Sequence, residues 1–374
     1  MDNFGFVIDE QEHTASGFNK YLSTGSHYIE LEDIETQRGE IPSTRRFSNH
    51  LCFELHISTD RGRILVAVQG DTMKPAIVTY HDLGLNYLSF ETFFNHEHMQ
   101  DILDNFCVYH MNAPGQEDGA ATFPENYTYP TLDELASQIK YVQARFGFRT
   151  FIGLGVGAGA NILARYAINN PSKMEGLALI NCTSTQLGWL DWAYFKMTCR
   201  MMRRRGMCDS AVEFLLWHHF GRIPEDCNPN VVSKYRYQFA NIPNPTNVAM
   251  FIDVFGKRQD LRLSRDGGTM QIPVLNIVGA LSPYVDATVT FNGRLEPSIS
   301  AWMKISDSSM VLEEEPGKAA EAFRLFLQGE GYVSPIPKKI LLPRSDCIQG
   351  ERRSCRHSPV IRITENPISE AVVC

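Results

Sequence analysis

The sequence predicts an α/β fold: a mostly parallel, doubly wound sheet that carries a helical insertion. Three observations predict it. Short apolar runs that read as buried strands alternate with stretches of helical spacing, the pattern of parallel strands joined by crossover helices. Phe151-Ile-Gly-Leu-Gly155-Val-Gly157-Ala-Gly159 leads such a strand into a helix through glycines at alternate positions. Glycine there lets strand and helix approach where a side chain would clash. From Gly188 to about Asp260 the alternation stops, and the chain turns helical, aromatic and rich in Met and Arg before strands resume at Ile272.

Taken in order, residues 1–48 are polar and mixed in charge, and 36–45 read as a flexible stretch. Strand-like runs at 50–57 and 63–69 flank Ser58-Thr-Asp-Arg-Gly62, a turn signal, and so predict a hairpin. The run 75–80 is a central strand that ends in His81-Asp82-Leu83-Gly84, and 105–110 is the next. Thr131 with Glu134 three residues on is a capping box, and Leu132, Leu135, Ile139 and Val142 continue at helical spacing into the strand 151–154. After the glycine turn comes a helix, then a strand at 176–181, then a helical cap over about 185–262. Its aromatics and methionines read as core against the sheet, and Arg203-Arg204-Arg205 as a solvated basic helix end that suits the helix dipole. Strands follow at 272–279 and 300–305, and 318–327 is the closing amphipathic helix. The folded domain therefore spans 49–332, and 333–374, rich in Pro, Ser and Arg, reads as a disordered basic tail.

Composition excludes several classes. A formal net charge of −8 argues against a nucleic-acid footprint. No stretch approaches the roughly 18 apolar residues of a membrane span. The N-terminus has neither the basic region nor the apolar core of a secretory signal, so the expected location is cytoplasmic. Nine scattered cysteines without C-x-x-C or Cys/His spacing make a structural zinc framework unexpected. Cys52, Cys107 and Cys182 lie in apolar runs and read as small buried hydrophobes.

The glycine turn decides the chemistry. A strand, a sharp turn and a helix are the setting of the G-x-S-x-G nucleophile elbow of the α/β-hydrolase fold. Here Gly157 stands where the serine hydroxyl belongs. A dinucleotide fingerprint, Gly155-x-Gly157-x-x-Ala160, is rejected because Glu175, the acid it requires, precedes the next strand instead of ending it. The other triad positions are also altered. Ser282 in Gly279-Ala-Leu-Ser282 takes the acid's place, with Asp286 as a substitute four residues on, and Met310 takes the histidine's. Ser184, Ser282 and Ser309 have no evident histidine base. His81 and His110 read as structural hydrogen-bonding residues. A metal on His81 and Asp82 lacks further ligands, so neither metal nor cofactor is expected. What remains is a degenerate pocket of His81, Asp82, Gly157, Ala158, Ser282 and Met310, with no catalytic residue. The Ala158 amide, at the start of its helix, is expected to keep the capacity to bind an anion unless side chains such as Met310 close the pocket.

His81-Asp-Leu-Gly-Leu-Asn86, Ala113-Pro-Gly-Gln-Glu-Asp-Gly119, Tyr129-Pro-Thr-Leu-Asp-Glu-Leu-Ala136, Gly155-Val-Gly-Ala-Gly-Ala160, Gly188-Trp-Leu-Asp-Trp192 and Phe326-Leu-Gln-Gly-Glu-Gly-Tyr332 together resemble the N-myc downstream-regulated (NDR) family. The resemblance runs in order over about residues 48–332. It implies an α/β-hydrolase fold without hydrolase activity. It also implies a cytosolic, partly membrane-recruited protein of differentiation, stress response, signalling or vesicle traffic, with a phosphorylated tail. The family's phosphorylated repeats are not evident in this chain. Its tail does place Ser354 after Arg352 and Arg353, and Ser358 before a proline, which makes both candidate phosphorylation sites. From Ser334 onward seven Lys/Arg stand against four Asp/Glu, a net charge suited to an anionic membrane. Protein partners are not named by the sequence. The alternatives to a signalling or adaptor protein are a small-molecule or lipid binder using the old pocket, and a hydrolase with an unorthodox nucleophile.

Overall fold

The computed structural model describes residues 43–47, 50–124, 126–221, 226–265 and 268–333. Among them nine strands form one sheet: β1 (Ser43–Phe47), β2 (His50–Thr59), β3 (Gly62–Gln69), β4 (Ala76–Tyr80), β5 (Cys107–Met111), β6 (Phe151–Val156), β7 (Met174–Ile180), β8 (Val274–Gly279) and β9 (Ser300–Ile305). Their order across the sheet is β1-β2-β3-β5-β4-β6-β7-β8-β9. The β1, β2 and β3 pairings and the β3–β5 join are antiparallel, and every pair beyond is parallel. This is the mostly parallel sheet the sequence predicts.

Helices α1 (Leu132–Ser137) and α2 (Ile139–Phe146) precede β6, and α3 (Ala158–Asn169) follows it. The cap, inserted between β7 and β8, is built from α4 (Trp189–Arg205), α5 (Asp209–Phe220), α6 (Pro229–Ala240) and α7 (Pro245–Gly256). Helix α8 (Val285–Gly293) joins β8 to β9, and α9 (Pro316–Gly329) closes the domain.

Strands β4, β5 and β8 are buried at every residue, because helices cover both faces of the parallel region. Alternate side chains feed opposite layers. Val78 and Tyr80 join the core shared with the cap, whereas Ile77 joins Phe90, Phe93, Phe94 and Phe323 on the other side. The capping box starts α1 as expected, Thr131 Oγ1 accepting from the Glu134 amide and the Glu134 carboxylate accepting from the Thr131 amide. Close contact of α3 with β4 depends on Gly159, where a Cβ would stand under 3.0 Å from the Tyr80 carbonyl. Glu175 is the second residue of β7, at its amino end, where it cannot meet a ribose.

Two expectations are corrected. The sheet begins earlier than predicted, since Ser43–Phe47 pairs with β2 and part of the supposed flexible stretch is an edge strand. The cap aromatics divide: Phe195, Phe214, Phe251 and Phe255 are core, but Trp189 and Trp192 on α4 are 76% and 45% exposed. Arg203, Arg204 and Arg205 are exposed in the last turn of α4, as a dipole-complementing end requires. Cys52, Cys107 and Cys182 are buried, and burial pushes the thiols of Cys52 and Cys107 up to about 12. The remainder of 1–48, and the tail with Ser354 and Ser358, lie outside the described residues.

The cap is tied to the sheet's loops by side chains. Asn247 of α7 donates to the carbonyls of Gly115 and Ala121 and accepts from the Phe123 amide. Ser309, after β9, donates to the His219 carbonyl at 2.6 Å.

Candidate functional site

The site lies where β4 and β6 end side by side in the parallel sheet. At Gly157 the chain takes φ +52° and ψ −109°, a conformation that disfavours a side chain, and turns β6 into α3. Beside it, the loop after β4 carries His81 and Asp82. Asp82 is 2% exposed and turns inward. One oxygen, Oδ1, accepts from two backbone amides, Leu83 at 2.8 Å and Ala158 at 2.9 Å. In a hydrolase elbow the residue after the nucleophile and the loop after the neighbouring strand supply these two amides as the oxyanion hole. In this chain a carboxylate of its own fills that hole. It also fills the nucleophile's space: a Cβ at Gly157 would stand under 3.0 Å from Asp82 Cγ, Oδ1 and Oδ2.

Asp82 Oδ2 faces the cap. His218 Nε2 lies 3.0 Å away and His219 Nδ1 3.8 Å away. His218 Nδ1 meets the Tyr284 hydroxyl at 2.6 Å, and His219 Nε2 donates to the Leu83 carbonyl at 3.0 Å. Burial opposes charge on Asp82. His218, by its field and its hydrogen bond, His219 and the Ala158 amide outweigh it, and hold the carboxyl below the usual carboxylate range. Burial pushes His219 down to about 4 and the Tyr284 phenol upward.

The remaining predicted residues do not converge on a catalytic arrangement. His81 is fully buried, and both ring nitrogens meet backbone, Nδ1 the Asp82 carbonyl and Nε2 the Ala113 amide, so it is not a second ligand beside Asp82. Burial pushes it down to about 4. His110 bonds Thr79 and Gln69 in the core, and burial pushes it down to about 3. Ser282 Oγ accepts from the Tyr284 amide. Asp286 is exposed in the first turn of α8. Met310 is partly buried against the core, with its amide donating to Glu314. The expected free anion site at Ala158 is therefore overturned, and Asp82, not Met310, closes it. Sequence reading missed His218 and His219. The available signal was a pair of histidines inside the otherwise apolar stretch Phe214-Leu-Leu-Trp-His-His-Phe220, where buried polar groups require partners.

Next to the site is a cavity of about 650 Å³, bordered by Trp217, Phe255, Arg258 and Tyr284. Arg258 is 7% exposed, donates to the carbonyls of Thr185 and Phe255, and is pushed by burial down to about 10.

Residues 54–334, from β2 to just beyond α9, match the model of the Ndr family. The chain belongs to the Ndr family. It is 42% identical over 283 residues to the protein NDRG2 of Homo sapiens, covering 74% of each chain. To NDRG4 of Xenopus tropicalis it is 39% identical over 292 residues, covering 76% of this chain and 70% of that one. In solved structures the fold is that of α/β-hydrolases. A thermophilic esterase from Thermogutta terrifontis superposes with a TM-score of 0.61 at 18% identity, covering 74% of this chain and 98% of the esterase. The enol-lactonase from Burkholderia xenovorans LB400 gives 0.60 at 15%, covering 73% and 100%. An NDRG-type protein with an α/β-hydrolase fold fits a non-catalytic role. Among the described residues no helix is long and apolar enough to cross a membrane.

Proposed function

We propose that this member of the Ndr family is a pseudoenzyme that works by binding partners, as a signalling or adaptor protein, and performs no hydrolysis. One observation carries the reading. A single carboxylate oxygen of Asp82 takes both amides that would otherwise stabilise an oxyanion. Acyl-transfer enzymes draw much of their rate from stabilising that oxyanion, about 3–4 kcal/mol for each donor. A resident anion both removes those donors and repels a developing negative charge. Gly157, Ser282 and Met310 at the triad positions support the same reading. The roles in differentiation, stress response, signal transduction and vesicle traffic, and the cytoplasmic, partly membrane-associated location, rest on family resemblance alone. The test is hydrolysis of short-chain nitrophenyl esters by purified full-length chain, beside labelling by a fluorophosphonate probe. The expected result is no turnover above a heat-killed control and no labelling. Turnover abolished by changing one cavity residue overturns the proposal.

A second reading, a small-molecule binder, draws on the cavity of about 650 Å³. Asp191, Asp226 and Asp286 border it with Arg258, so its lining does not favour an anionic ligand. Native mass spectrometry of protein purified without added ligand tests it. A stoichiometric small molecule lost on filling the cavity supports this reading, and a mass equal to the bare chain removes it.

A further inference from the structure

Asp82, His218 and His219 bring one carboxylate oxygen and two imidazole nitrogens within 4.8 Å of one another. They come from two parts of the fold, the loop after β4 and the cap helix α5, and are 2%, 1% and 4% exposed. We propose that they form a binding site for a divalent transition-metal ion, Zn²⁺ by the chemistry of the donors, which fastens the cap to the sheet.

The hydrogen bonds around the three residues carry the argument. A carbonyl only accepts, so His219 uses Nε2–H toward Leu83, and a neutral ring turns its bare Nδ1 lone pair toward Asp82 Oδ2 at 3.8 Å. Two electron-rich atoms thus face each other in a buried place, and a cation between them converts repulsion into two bonds. The other ligand atom, His218 Nε2, is 3.0 Å from the same oxygen. Tetrahedral zinc, with bonds near 2.0–2.1 Å, separates its ligand atoms by about 3.3 Å, which the two observed separations bracket.

Each ligand is also oriented from outside. Leu83 and Ala158 amides hold Asp82 Oδ1, the Leu83 carbonyl holds His219, and the Tyr284 hydroxyl holds His218 Nδ1. Outer partners of this kind fix the ring and tautomer of metal-binding histidines. Loading requires only that His218 carry its proton on Nδ1 and donate it to the Tyr284 oxygen. Two imidazoles and one carboxylate suit zinc, whereas magnesium and calcium prefer all-oxygen sets. His81, the neighbour of Asp82, is not part of the set, because backbone groups use both its nitrogens.

The test uses full-length chain, stripped with a chelator and reloaded with Zn²⁺. Metal content is measured by mass spectrometry, affinity by competition with a chromophoric chelator, and geometry by Co²⁺ absorption. His219→Gln can keep an N–H for the Leu83 carbonyl but removes the imidazole nitrogen that faces Asp82. Tyr284→Phe leaves all three ligands and removes only an outer partner. The expected result is one equivalent of zinc lost in His219→Gln, and affinity about 10–100-fold weaker in Tyr284→Phe. Wild-type chain should melt at a higher temperature with Zn²⁺ but not with Mg²⁺, and His219→Gln should show no such rise. A second histidine pair, His96 and His98, with ring centroids 4.9 Å apart, is the control. Wild-type chain that takes up no zinc overturns the site. So does zinc uptake that is unchanged in His219→Gln, whether or not His98→Ala removes it.

Discussion

Restoring the missing hydroxyl with Gly157→Ser should damage the fold without reviving an enzyme. At φ +52° and ψ −109° any side chain carries backbone strain, about 1–3 kcal/mol. The larger effect is steric. A Cβ would stand under 3.0 Å from three atoms of the Asp82 carboxylate, so the carboxylate must leave. It would abandon the Leu83 and Ala158 amides and His218. Hydrogen bonds to a charged group contribute about 1.5–3 kcal/mol each, so even partial loss brings the total to the order of 5 kcal/mol. At about 2–4 °C per kcal/mol for a domain of this size, the melting temperature should fall by about 10–20 °C. The assay is thermal unfolding by circular dichroism of wild type, Gly157→Ser, Asp82→Ala and the double variant. Removing the carboxylate makes room, so the double variant should be less damaged than the sum of the singles, by about 2 kcal/mol or more. Ester hydrolysis should not rise, because a catalytic serine needs a base that a third group orients toward it, and the triad's acid and histidine positions hold Ser282 and Met310. A Gly157→Ser protein that melts within about 2 °C of wild type would refute the wedged carboxylate. A rise in turnover would reveal a base serving position 157.

Three further outcomes are expected. His81 and His110 are held neutral by burial, at about 4 and about 3 against an ordinary 6.5, so below pH 6.5 the unfolded chain gains protons that the folded chain refuses. Their contribution is complete above 6.5 and lost as pH falls, about 2 kcal/mol per histidine by pH 5, and a denaturant midpoint that does not drop between about pH 7.5 and pH 5 contradicts it. Thr131→Ala should lower stability by about 1 kcal/mol by opening the capping box, and Thr131→Ser should restore it, both read by chemical denaturation. For the tail, liposomes containing anionic lipid should co-sediment the intact chain more than a tail-deleted chain, with Ser354→Glu between them, and equal binding by all three removes the tail from the mechanism.

The strands, the hairpin, the capping box and the glycine turn were legible because each rests on neighbours within a few residues. β1 was not. Ser43-Thr-Arg-Arg-Phe47 has no apolar alternation, as suits an edge strand that must resist pairing with other chains. The altered triad could be read position by position, yet its replacement could not. Asp82 meets His218 across 136 positions of sequence, and nothing local says that its side chain turns inward to take the Ala158 amide. For the same reason His218 and His219 looked like part of an aromatic cap, and Met310 looked like the plug that Asp82 proves to be.

A cap over an active site commonly moves aside to admit substrate. Here buried partners hold the cap on two sides: Asp82, Leu83 and Ser309 grip the two histidines of α5, and the loop after β5 grips Asn247 of α7. Swinging the cap open would break these hydrogen bonds and expose the apolar core that cap and sheet share. Cap and sheet then form one cooperative unit, so the backbone amides of α5 should exchange with deuterium as slowly as those of β6. A cap held in this way does not serve as a door, and its exposed residues, Trp189 and Trp192 among them, lie where another molecule can reach them.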